Sequence, residues 1–140
     1  MRPYFERHSL RFSCTRCGRC CTGGADYHVY LMQGEAAEIC TYLGLTWNWF
    51  RRHYLRRLDD AGLVAADNGG SCIFLDADGQ CGIYAVRPVQ CRTYPFWPEL
   101  VNSEVAWHRE ARRCEGINRG NVVSVARIRR SVRACLDVPD

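Results

Sequence analysis

The feature that most constrains this chain is a run of four cysteines near its start, Cys14-x-x-Cys17-x-x-Cys20-Cys21. A two-residue gap lets the backbone turn back and aim two sulfurs at a common point, so two such gaps in series indicate a loop wrapped around metal. Gly18, Gly23 and Gly24 favour irregular backbone here. The run therefore predicts a ligand loop, because core packing does not require four cysteines.

Six more cysteines follow, and helical periodicity divides them. Cys40 and Cys135 fall on the apolar faces of predicted helices, where a free cysteine packs as a small hydrophobe. The remaining candidates number eight: Cys14, Cys17, Cys20, Cys21, Cys72, Cys81, Cys91 and Cys114. Tetrahedral zinc and a cubane iron–sulfur cluster each take four thiolates, so eight ligands favour two centres over one.

The vicinal pair Cys20 and Cys21 carries a geometric constraint. Neighbouring side chains point in clearly different directions in both helix and strand, so two adjacent thiolates bind one ion only through a strained turn. We therefore expect Cys20 to complete a local set with Cys14 and Cys17. Cys21 is then able to join the downstream cysteines at a second centre.

Charged residues interrupt every apolar stretch of the first 14 residues, so no signal peptide is expected, and no segment has the length of a membrane span. We therefore expect a cytoplasmic protein without a membrane partner, whose reduced thiols bind metal rather than form a disulfide framework. The net charge is only +4, and all 19 cations are arginine. This uniform bias reads as genomic base composition, and so modest a charge does not demand nucleic acid.

The patterning predicts a small single α+β domain over residues 1–140, with about three helices and a short hairpin, stapled by cysteine-ligated metal centres. Helices are predicted at 33–43 with Gly44 as C-cap, at 47–58 after Thr46 and at about 121–136, and in addition a short helix is predicted at 89–93 after Pro88. The β-prone runs 72–75 and 81–84 flank Asp76-Ala-Asp78-Gly-Gln, which predicts a hairpin turn rather than a calcium loop.

Further motifs accompany the cysteines: Phe12-Ser before Cys14, Cys72-Ile-Phe-Leu, Cys81-Gly-Ile-Tyr, Arg87-Pro88-x-x-Cys91-Arg92-Thr-Tyr94-Pro95-Phe96 and Cys114-x-Gly116. From Phe12 to about Gly116 the chain resembles the YkgJ-type CxxCxxCC cysteine-cluster family. The resemblance implies a zinc- or iron-chelating domain with its cysteines on the same eight positions. Members carry labels such as iron–sulfur oxidoreductase, and some longer relatives are called flagellin lysine methylases.

The choice of metal rests on spacing. The run C-x-x-C-x-x-C begins a bacterial ferredoxin motif, whereas structural zinc sites usually pair two short knuckles, so an iron–sulfur cluster, expected as 4Fe–4S, is favoured slightly over zinc. The match to the ferredoxin motif ends after Cys20, because Cys21 follows immediately rather than three residues later and no Cys-Pro is present. His28 and His108 are alternative ligands that eight cysteines make unnecessary. Residues expected to surround the thiolates are Arg16, Arg19, Arg87, Arg92 and Tyr94.

The leading functional hypothesis is a metalloprotein with a structural, redox or metal-handling role and an unknown redox or metal-transfer partner protein. An enzyme is less favoured, because the chain has no Gly-rich nucleotide loop, H-E-x-x-H or nucleophile motif; it would be an iron–sulfur oxidoreductase. The third hypothesis is an arginine-rich zinc module that binds nucleic acid. It rests on the arginines of 51–57 and 127–133, for which a solvated helix face is the favoured interpretation.

Overall fold

The computed structural model describes residues 2–15, 28–32, 34–57, 63–66 and 71–136. Its elements are α1 (Tyr4–Arg7), β1 (Leu10–Phe12), α2 (Glu35–Leu43), α3 (Trp47–Tyr54), β2 (Leu55–Arg57), β3 (Leu63–Ala65), a 3-10 helix (Tyr84–Val86), α4 (Val89–Thr93), α5 (Pro98–Val101), α6 (Glu104–Glu110), β4 (Ile117–Val123) and α7 (Val125–Leu136). The class is α+β, as predicted, although the described residues hold seven α-helical segments rather than about three. None of these helices is long and apolar enough to cross a bilayer.

The chain divides into two compact units. In the part that the structure describes, the first unit holds residues 2–15 and 93–136, and the second holds the described residues from 28 to 92. The expectation of one domain over residues 1–140 stays a prediction.

In the first unit, strand β1 pairs antiparallel with strand β4, more than a hundred residues later in the sequence. In β1 and β4, Leu10 lies opposite Val123 and Phe12 lies opposite Ile117, with a bulge between the two pairings. The apolar residues of this ladder pack with Trp107 and Ile128 in one buried cluster. Ser103 caps α6 by accepting a hydrogen bond from the Ala106 backbone, and Ser124 does the same for Arg127 in α7.

The second unit packs α2 and α3 over a small sheet. Strands β2 and β3 pair antiparallel, and the segment 29–31 lies along the other side of β3, where Leu31 N donates to Leu63 O and Ala65 N donates to Val29 O. Phe50, fully buried on α3, stacks near Phe74 within the apolar cluster of this unit.

Local signals placed two helices correctly. Gly44 ends α2 in the left-handed region at φ 69°, and its N–H bonds the Cys40 and Thr41 carbonyls, as a C-cap requires. Helix α4 follows Pro88 and runs from Val89 to Thr93, as predicted. Asp76 accepts hydrogen bonds from the backbone of Asp78 and Gln80, which confirms a turn there.

Two predicted helix boundaries were wrong, and the predicted hairpin is shorter than expected. Helix α3 ends at Tyr54 rather than at residue 58, because Leu55 enters the ladder with β3. The terminal helix begins at Val125, since residues 121–123 complete β4. The predicted hairpin is reduced to one antiparallel bridge, Leu75 with Cys81, because 72–75 turns and Tyr84 starts a 3-10 helix.

Candidate metal centre

In the first unit, backbone pairing brings Cys14 and Cys114 onto adjacent antiparallel segments. Beyond the Phe12–Ile117 pair, Ser13 N donates to Gly116 O at 3.1 Å. Two residues after Ser13, Thr15 extends the contact, because its Oγ1 donates to Glu115 Oε1 at 2.5 Å. Two candidate ligands 100 residues apart in sequence are therefore held by one strand extension.

Two glycines permit this approach. A Cβ atom at position 116 would lie 2.1 Å from the Ser13 carbonyl oxygen, which is far inside van der Waals contact. Gly120 has φ +78°, and a Cβ there would lie 2.6 Å from the Ser13 side chain. Any side chain at either position would push away the segment that carries Cys14.

In the second unit, three candidate ligands belong to or contact one apolar cluster. Cys72 is buried within it, at 8 % exposure, and Cys81 and Cys91 pack against it. Leu75 N donates to Cys72 O in a first turn, and the Leu75–Cys81 bridge and the Gly82 N to Phe74 O bond close a second turn beside it. Helix α4 carries Cys91. Cysteine thiolates are ligands of zinc and of iron–sulfur clusters, so the chemistry of these side chains fits the metal that the sequence implies.

Two side chains, Glu35 and Gln90, hold Cys91 in place, and neither was predicted from the sequence. The Glu35 carboxylate accepts hydrogen bonds from Met32 N and from Val89 N, both at 2.7 Å, and so anchors the first turn of α4 to the start of α2. The Gln90 amide accepts from Tyr30 N and donates to His28 O, both at 2.9 Å. The signal available in sequence was only that both are polar residues beside predicted apolar faces.

Tyr94 forms a hydrogen-bonded pair with Glu110 near Cys114. Its hydroxyl donates to the Glu110 carboxylate, and the Cys114 N–H donates to the Glu110 backbone carbonyl. Burial, followed by the bond to Glu110 and the negative charges of Glu110 and Cys114, raises the pKa of the Tyr94 phenol, while Arg113 lowers it. Sequence analysis singled out Tyr94 but missed Glu110, whose spacing of four residues from Cys114 was the available signal.

The arginines expected near the thiolates are placed as follows. Arg87 donates to Tyr84 O at 3.0 Å, and its guanidinium lies 3.8 Å above the Tyr84 ring. Arg92 is exposed at the end of α4. Arg16 and Arg19 lie outside the described residues.

The cysteines assigned to helix faces differ in burial. Cys40 is buried and donates to Leu45 O, as expected of a core residue. Cys135 is only partly buried and lies 3.2 Å from Thr93 Oγ1. The alternative ligand His108 is exposed and bonds to Tyr4 and Asn118, while His28 contacts Arg56.

Within the described ranges, no three His, Cys, Asp or Glu residues cluster closely enough to hold a metal ion. The loop cysteines Cys17, Cys20 and Cys21, on which the sequence-based ligand sets depend, lie outside those ranges. The described candidates are therefore Cys14 and Cys114 in one unit and Cys72, Cys81 and Cys91 in the other, and no three of these five form a group that could hold a metal ion.

Comparison with known proteins identifies the family. The uncharacterized protein MJ0661 of Methanocaldococcus jannaschii is 27% identical over 118 residues, which cover 81% of this chain and 62% of that protein. The match therefore spans less than two thirds of the relative's length. No solved structure matches. A family model described as "CxxCxxCC: Putative zinc- or iron-chelating domain" matches residues 13–115, nearly three quarters of the chain. The chain belongs to this CxxCxxCC family.

Proposed function

We propose that the protein is a metal module with two four-cysteine centres, iron–sulfur clusters of the 4Fe–4S type in preference to zinc, that serves a structural, redox or metal-handling role. The observation that supports the proposal is the division of the candidate ligands between the two units. Cys14 and Cys114 flank one backbone contact in the first unit, and Cys72, Cys81 and Cys91 border one apolar cluster in the second.

The grouping revises the ligand sets that sequence order alone suggests. We infer that Cys114 joins the N-terminal set rather than the downstream cysteines; the backbone hydrogen bond between Ser13, which precedes Cys14, and Gly116, two residues after Cys114, supports this. The first centre then takes Cys14, Cys17, Cys20 and Cys114, and the second takes Cys21, Cys72, Cys81 and Cys91. This assignment gives each of the vicinal cysteines its own centre, in agreement with the general rule that neighbouring side chains point in different directions.

A metal centre that is closed by four thiolates has no open position for a substrate. Such a centre therefore favours electron transfer or a structural role over catalysis. A bound cubane cluster supplies one-electron transfer, whereas a closed zinc site supplies stability alone. The chain's own residues hold the thiolates, with apolar side chains limiting water around Cys72 and the Tyr94–Glu110 pair bordering Cys114. The expected partner is a redox or metal-transfer protein.

The test is anaerobic purification followed by iron, sulfide and zinc analysis with absorption and Mössbauer spectra. We expect a brown protein with about eight iron atoms per chain, because two cubane clusters hold four each. Cys20→Ser and Cys114→Ser should lose one centre, and Cys21→Ser and Cys91→Ser the other. Loss of the same centre from Cys20→Ser and Cys21→Ser would refute the ligand sets, and two colourless zinc ions per chain would refute the cluster.

Folding should also require bound metal. The downstream cysteines have no C-x-x-C spacing, so only tertiary structure can bring them together at one metal. Stripping the metal with a chelator is expected to abolish near-UV dichroism and cooperative unfolding. Full retention of both after complete metal loss would show that the centres are accessory to the fold.

A further inference from the structure

The end of α3 and strand β2 make up a cationic stretch of the second unit, whose exposed side chains we call the α3–β2 surface. It carries Trp49, Arg51, Arg52, His53, Arg56 and Arg57, all exposed. Between residues 47 and 57 there is no carboxylate, and the next acids in sequence, Asp59 and Asp60, lie outside the described residues. In the described part, the recorded ion pairs are Arg113–Glu110 and Arg129–Glu6, both in the other unit. Among the residues that the structure describes, these four guanidinium groups form no ion pair with a carboxylate.

An ordered aromatic ring accompanies these charges. Trp49 is 47% exposed, and its ring stacks on His53 with centroids 3.8 Å apart and planes inclined by 14°. The stack is fixed from the backbone, because His53 Nδ1 donates to Trp49 O at 2.8 Å. An exposed indole held in this way loses little conformational entropy when another flat ring stacks on it.

A second exposed ring adjoins Arg56. One row of the small sheet runs from Arg56 through Val64 to Tyr30, which is 43% exposed. Arg56 lies 3.3 Å from His28 Nδ1, and the His28 ring packs edge-on against Tyr30. The cation and the ring are thus connected through one histidine.

We propose that the α3–β2 surface, together with the neighbouring Tyr30, binds single-stranded nucleic acid, with the arginines contacting phosphates and Trp49 and Tyr30 stacking on bases. Guanidinium groups match phosphate oxygens, and aromatic side chains stack on any base. An acidic protein would use the charges but would leave the exposed rings without a role. The proposal is independent of the metal centres and goes beyond their proposed function.

The experiment uses the full-length, metal-loaded protein and a fluorescein-labelled 15-nucleotide oligo-dT, followed by anisotropy between 50 and 300 mM salt. Neutralising about four phosphates of a single strand predicts a slope of log K against log salt near −3. Arg51→Ala/Arg52→Ala should weaken binding at least tenfold and roughly halve the slope. The matched control is Arg130→Ala/Arg133→Ala, which removes two exposed charges from α7 and should bind normally.

Stacking is tested separately from charge. Trp49→Leu should weaken binding about tenfold without changing the salt slope, and Trp49→Phe should retain an intermediate affinity because it keeps a ring. The proposal is overturned if oligo-dT does not bind at 50 mM salt, if the α7 control weakens binding equally, or if Trp49→Leu binds like the parent protein. Equal affinity for poly-glutamate would likewise overturn it, in favour of an acidic protein partner.

Discussion

Gly116 touches Ser13 backbone to backbone: Ser13 N donates to Gly116 O at 3.1 Å, and a Cβ at 116 would lie 2.1 Å from Ser13 O. Cys14 follows Ser13 directly, and Cys114 precedes Gly116 by two residues. The contact therefore sets the separation of two candidate ligands.

Gly116→Ala should act on both stability and metal content. We expect the free energy of unfolding to fall by about 1–3 kcal/mol, since the added methyl meets backbone rather than a flexible side chain. One centre should be lost, as measured by metal per chain. The control is Gly44→Ala, which sits at φ +69° with open space around it and should cost about 1–2 kcal/mol while all metal is retained. Unchanged metal in Gly116→Ala would contradict the role of this contact.

Glu35→Ala should loosen α4 and with it Cys91. Two charge-assisted hydrogen bonds to backbone N–H groups disappear, so we expect a loss of about 2–4 kcal/mol in urea unfolding together with weaker metal retention against a chelator. Glu38→Ala, an exposed acid of the same helix, is the matched control and should change neither quantity by a measurable amount. Equal effects of the two substitutions would mean that lost helix-terminal charge, not the anchor, is responsible.

Tyr94→Phe should show a pH-dependent cost. At pH 8 the phenol is protonated in both folded and unfolded chains, and losing its bond to Glu110 should cost about 1–3 kcal/mol. The folded pKa is raised above the ordinary value of 10, so the unfolded chain releases this proton first as the pH rises. The folded state then binds more protons, and the Tyr94 contribution to stability declines above about pH 10. The gap between parent and variant, measured by urea unfolding at pH 8 and 10.5, should narrow; a constant gap would contradict this reasoning.

Cysteine substitutions should separate ligands from packing residues. Cys91→Ser is expected to lower bound metal, whereas Cys40→Ala should leave metal unchanged and cost about 1–2 kcal/mol through the lost buried sulfur. Cys135→Ala should also keep its metal and cost less, because Cys135 is only partly buried. Metal loss of similar size in all three variants would contradict the helix-face assignment.

The sequence predicted what short-range chemistry decides. Gly44, Pro88 and Asp76 act on neighbouring backbone, so α2, α4 and the turn after Leu75 lie where the pattern placed them. The family motif likewise spans the candidate ligands without reference to tertiary structure.

The sequence patterns did not predict the pairing of strands that are distant in sequence. Residue 55 continues a helical apolar spacing, yet Leu55 forms a strand because Ala65 supplies a ladder partner. Val122 and Val123 fit the apolar spacing of the terminal helix, but they pair with Arg11 and Leu10. The association of Cys114 with Cys14 depends on that same pairing, so no local signal revealed it.

The β1–β4 ladder also orders events during synthesis. Leu10 leaves the ribosome more than a hundred residues before its partner Val123, an interval of roughly 5–20 s at ordinary translation rates. Until then the nascent N-terminal strand has no ladder to join, while the segments of the second unit emerge together and earlier. A centre that includes Cys114, as proposed above, is consequently completed late in synthesis, and a chain truncated before Cys114 lacks that ligand.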